Sequence, residues 1–71
     1  MTVKYPIWKT VEGRTVSCTE KIKVMQQNID ELQQIAQDLF EDGILMDIDP
    51  EQLKNYLQQL IRDLQNPYKN R

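Results

Sequence analysis

The sequence predicts a mainly α protein: an antiparallel helical hairpin preceded by an extended arm or short β-hairpin. Three observations lead there. Apolar residues from Cys18 to Gly43 recur at alternating steps of four and three. Asp49-Pro50 opens a second stretch with helical apolar spacing. Residues 1–16 carry neither pattern and are rich in β-branched and aromatic side chains.

The arm comes first. Val3, Tyr5, Ile7, Trp8, Val11, Thr15 and Val16 favour extended backbone. Pro6 lacks an amide proton and pushes Tyr5 away from helical angles. Glu12-Gly13 is a turn signal between one strand near 3–10 and another near 14–17. A two-stranded hairpin is marginal alone in water, so this one has to lean on the helices, with Trp8 as its anchor. The alternative is an arm without strand pairing.

The first helix is expected over about 18–46. Ser17-Cys18-Thr19-Glu20 has the form of a capping box, in which the hydroxyl takes an early amide and the glutamate reaches back. Cys18, Ile22, Met25, Ile29, Leu32, Ala36, Leu39 and Gly43 then form a heptad seam, widened by Phe40 and Ile44. Gly43 is expected inside the helix, allowing a neighbouring backbone to come close. Running on to Met46 lets Ile44 join the seam. Asp47 then turns the chain, because Asp tolerates a left-handed conformation.

The second helix is expected over about 50–65. Asp49 caps it, Pro50 fits its first position, Glu51 suits its positive end and Gln52 completes a capping box. Leu53, Tyr56, Leu57, Leu60, Ile61 and Leu64 form its apolar face. Asn66-Pro67 is the stop signal, and 67–71 reads as a loose tail. The connection between the helices is short, so they lie antiparallel. The domain layout is one small domain over 1–71, with the arm at 1–16 and the helical hairpin at 17–66.

Composition excludes more than it names. The chain of 71 residues has no His and one Cys, so an internal disulfide, His catalysis and a His metal site are ruled out. The longest run of large apolar residues is Ile44-Leu45-Met46. That is far short of the roughly 20 needed to span a membrane or the roughly 7–15 of a secretion signal. The expectation is therefore no membrane association and a cytoplasmic location.

A lone core of this size rarely supplies more than about 3–5 kcal/mol, which makes self-association the default expectation. Charge adds a direction. Net charge is −2, but residues 24–53 carry eight acids and no base, and both flanks are basic. At 1.5 Å per residue the helices would run roughly 42 and 24 Å. The second reaches only the Ala36–Met46 half of the first. The other half needs a different cover: the arm with Trp8, a second copy, or another protein.

The function this implies is non-catalytic protein–protein interaction, as a small adaptor or regulatory protein. It would act through Ile22, Met25, Ile29 and Leu32 with Trp8 nearby. The partner is a homodimeric second copy or a different protein, with the basic arm of one chain on the acidic middle of another. No catalytic, cofactor, metal or small-molecule site is evident. The acids at Glu41, Asp42, Asp47, Asp49 and Glu51 fit a calcium loop poorly, since the third position would be Phe40.

Two alternatives belong to other classes. Cys18, near a helix start with Lys21 and Lys23, could be a reactive thiol with a redox or regulatory role. Against this, no second Cys or His is available to complete a catalytic cycle. RNA or DNA binding would use the basic termini with Tyr5, Trp8 and Tyr68 for stacking. The acidic middle argues against it, because phosphate binding needs a basic face.

Overall fold

A computed structural model describes residues 5–68. The fold is mainly helical, with α1 over Thr19–Leu45 and α2 over Pro50–Arg62. Two compact units divide the chain, Met1–Gln34 and Ile35–Arg71, and α1 runs through the boundary.

In the first unit, residues 8–16 turn back on themselves. Lys9 and Thr15 form one antiparallel bridge. The Val16 amide donates to the Trp8 carbonyl at 2.8 Å, and the Thr10 amide to the Arg14 carbonyl at 2.7 Å. Gly13 closes the turn at φ 88°, where a residue without Cβ is unstrained. The pairing is shorter than strands near 3–10 and 14–17 would give. Pro6 has no amide to donate, and among the described residues no third strand extends the ladder. The first residues of the expected strand, Val3 and Lys4, lie outside the described residues.

Helix α1 starts later than the capping-box signal implies. Its first turn closes with the Ile22 amide on the Cys18 carbonyl at 3.1 Å, which puts Cys18 rather than Ser17 at the cap. The Val16–Trp8 bond keeps the chain extended up to this point and delays the first helical residue.

The covered stripe of α1 is also rotated from the expected seam. In the first unit the half-buried positions are Ile22, Gln26, Ile29 and Gln33, while Met25 is 46% and Leu32 54% exposed. The arm is tied on the same side at one point: the Tyr5 hydroxyl donates to Asp30 Oδ1, and Asp30 lies beside Gln26 and Gln33 on the helix surface, away from Met25 and Leu32.

In the second unit the covered positions are Ala36, Phe40 and Gly43 on α1, and Leu53 and Leu57 on α2. Gly43 is buried, and a Cβ there would stand 2.5 Å from Leu53 Cδ2. The close approach is thus to a leucine side chain, not to a backbone. Lys54 Nζ lies 5.4 Å from the Phe40 ring centroid, a cation–π contact.

The end of α1 is a Schellman turn. The Ile48 amide donates to the Gly43 carbonyl at 2.9 Å and the Asp47 amide to the Ile44 carbonyl at 3.0 Å. Asp47 takes the left-handed position at φ 66°, as its residue type predicts. Extending the helix does not bring Ile44 under cover: it stays 43% exposed.

Helix α2 opens as its sequence implies. Asp49 is extended, its Oδ2 accepts from the Gln52 amide at 3.2 Å, and Pro50 holds the first helical position. It ends at Arg62, short of 65, with the Asp63 amide on the Gln59 carbonyl at 3.0 Å. Leu64, the apolar residue meant to hold another turn, is 69% exposed and packs against too little to do so. Residues 69–71 of the expected tail lie outside the described residues.

No hydrophobic side chain among the described residues is fully buried. Among the described residues, no helix is long and apolar enough to cross a membrane.

Candidate functional site

The first unit holds a hollow of about 200 Å³ lined by Trp8, Val16, Lys21, Ile22 and Met25. Each wall follows from local structure. The Val16–Trp8 hydrogen bond brings the hairpin's two apolar residues together. One turn of α1 supplies Lys21, Ile22 and Met25 at adjacent surface positions. The lining is almost wholly apolar, and no carboxylate contributes to it.

The Tyr5–Asp30 bond is the polar clamp that holds the arm along α1. It raises the Tyr5 phenol above its ordinary pKa, first because the neutral hydroxyl is the donor to Asp30, then through desolvation and the nearby negative charge. Another polar group opposes this docking. The Trp8 indole N–H is shielded from solvent and has no acceptor. An unsatisfied buried donor costs about 1–3 kcal/mol.

Of the residues the sequence singles out, Trp8, Ile22 and Met25 meet in this hollow. Ile29 is half-buried, and Leu32 stands exposed farther along α1 without lining the hollow. Val24 is a further exposed apolar residue beside Met25. Sequence spacing alone misses Val16 and Lys21. Their signal is proximity to the helix start: Val16 ends the hairpin, and Lys21 immediately precedes Ile22 of the seam.

Cys18 is not the buried first rung of the seam. It is exposed, in a shallow depression shared with Thr10, Arg14, Thr15 and Lys21. Arg14 pairs with Glu12 at 2.9 Å, and Lys9 Nζ donates to Thr15 Oγ1 at 2.9 Å.

The second unit carries the opposite charge. Asp42 lines a depression with Leu39, Gly43, Met46, Ile48 and Leu53, and no base lines it. The last turn of α1 has no basic residue to offset the negative end of the helix dipole. Beyond it, Leu45 and Met46 are 82% and 70% exposed. Among the described residues, no group of three or more Cys, Asp or Glu side chains is arranged to hold a metal ion.

No protein-family model, curated protein or solved structure matches the chain. The chemistry of its own residues therefore has to carry the functional reading.

Proposed function

We propose that this is a non-catalytic, cytoplasmic protein–protein interaction module that self-associates through the apolar face of its first unit. The observation that carries the reading is the rotation of α1. Along α1 of the first unit Ile22, Gln26, Ile29 and Gln33 are half-buried, while Met25, on the wall of the Trp8 hollow, is 46% exposed and Leu32, farther along, is 54% exposed. Large apolar side chains left in water favour a partner that covers them. The hollow is smaller than the roughly 300–1,000 Å³ of small-molecule clefts, and its size suits one inserted side chain.

Sedimentation equilibrium up to about 100 µM tests this, a concentration that saturates any contact with Kd near 1 µM. The wild type is expected to be a dimer. Leu32→Asp is expected to be a monomer with unchanged helicity, since Leu32 is exposed. Ile29→Asp is the poorer probe, because Ile29 is half-buried within its own chain. A wild type that stays monomeric throughout the range overturns self-association.

A second reading, a thiol-dependent role at Cys18, has one observation in its favour: the thiol is exposed, with Lys21 and Arg14 around the same depression. Rapid native-state alkylation at near-neutral pH supports it. A rate no faster than that of an unfolded control removes it.

A further inference from the structure

Resting on the self-association reading, we infer that the basic-rimmed hollow of one copy receives the acidic, apolar-tipped end of α1 from a second copy, with Met46 as the inserted side chain. Each face asks for what the other offers. The hollow is apolar inside and has Lys21 on its wall; Arg14 in the adjoining depression is already paired with Glu12, and Glu20 lines a second depression beside Lys21, so Lys21 carries the positive charge of the pairing. The end of α1 presents Leu45 and Met46, the first 82% and the second 70% exposed. Asp42 stands one turn before Met46, and Asp47 immediately follows it.

The helix end is also short of positive charge. Its dipole leaves partial negative charge on the last carbonyls, and its last turn contains no base. A lysine from outside fills that role. The left-handed Asp47 breaks the helix directly after Met46, so the tip is a corner and not a continuing rod. Methionine suits the insertion, being unbranched, adaptable and favourable against an aromatic ring such as Trp8. In a closed dimer the contact occurs twice, hollow to tip and tip to hollow.

Charge reversal with rescue tests the pairing. Lys21→Glu and Asp42→Lys are each expected to weaken self-association at least about tenfold by sedimentation equilibrium, because like charges then face each other. Mixed in equal amounts, the two variants are expected to associate with near wild-type affinity, since the mixed pair has one native contact and one reversed contact. Circular dichroism confirms that both stay helical. If both variants associate like the wild type while Leu32→Asp falls apart, the tip is not the occupant, although the apolar face still self-associates. If both weaken and the mixture fails to recover, the pairing of Lys21 with Asp42 is overturned. A monomeric wild type overturns this inference and the self-association reading together.

Discussion

Replacing Gly43 with alanine sets two effects of known sign against each other. Glycine inside a helix costs about 1 kcal/mol relative to alanine, so the substitution should stabilise α1 by that amount. The new Cβ, however, would sit 2.5 Å from Leu53 Cδ2, more than 1 Å inside the roughly 3.5–4.0 Å optimum for carbon–carbon contact. Leu53 has to leave its place, and forced repacking of this kind costs about 1–3 kcal/mol. The displaced atom is the free end of a half-buried side chain, so the cost falls at the low end of that range, and Gly43→Ala is expected to lie between neutral and about 1 kcal/mol destabilising. Leu53→Val isolates the cause. It removes the offending Cδ2, and the Leu53 Cγ position lies an ordinary 3.9 Å from the added carbon. In that background Gly43→Ala should become stabilising by up to about 1 kcal/mol, a coupling of about 1–2 kcal/mol. Urea unfolding followed by helix circular dichroism, at one low protein concentration for all four chains, measures the cycle. Stabilisation of similar size in both backgrounds would mean that Leu53 does not press on Gly43, and the packing of the second unit would have to be redrawn.

Three further outcomes are expected. Asp49→Ala removes the acceptor of the Gln52 amide and should cost about 1 kcal/mol, read as a lower Tm; an unchanged Tm would deny the cap. Asp47→Gly should stabilise the Schellman turn by some tenths to about 1 kcal/mol, because glycine takes φ 66° without a Cβ clash, whereas Asp47→Val should destabilise it; equal effects would contradict the left-handed geometry. For Tyr5, whose phenol is raised by donation to Asp30, the neutral form is the one that docks. Its contribution is complete below the unfolded phenol pKa near 10 and is lost as pH climbs through the higher folded value. Trp8 fluorescence should therefore report release of the arm only in strong alkali. Tyr5→Phe should show the released signal at neutral pH, and an identical alkaline transition in that variant would rule Tyr5 out.

Signals that act within a few residues were legible in the sequence. Asp49-Pro50-Glu51-Gln52 announces the start of α2 because cap, proline and acid act on amides one turn away. Asp47 announces the turn because its own backbone preference permits it. What escaped was decided at longer range. Ser17 has the right chemistry for a cap, but the hydrogen bond from Val16 back to Trp8 holds the chain extended past it. Leu64 continues the apolar spacing of α2, yet spacing does not say whether anything lies opposite. The same limit applies to the candidate site: Trp8, Ile22 and Met25 could be named from seam and anchor, while Val16 and Lys21 enter only once the hairpin is folded against α1.

The rotation of the covered stripe matters most for function, because it separates two kinds of contact that a strict heptad would make compete. Had the arm lain over Met25 and Leu32, a partner could reach those residues only by displacing it, at the expense of the Tyr5–Asp30 bond. Glutamines at 26 and 33 are tolerable on the half-buried flank, since half-buried amides can keep partners or water. The larger apolar side chains at 25 and 32 stay outward, beside a hollow whose walls the arm itself completes with Trp8 and Val16. On the proposed self-association, the arm would help to build the docking surface through Trp8 and Val16 without filling the hollow. Loosening the arm should then weaken association by unmaking the hollow, whereas tightening it should strengthen association, the reverse of what an autoinhibitory segment would do.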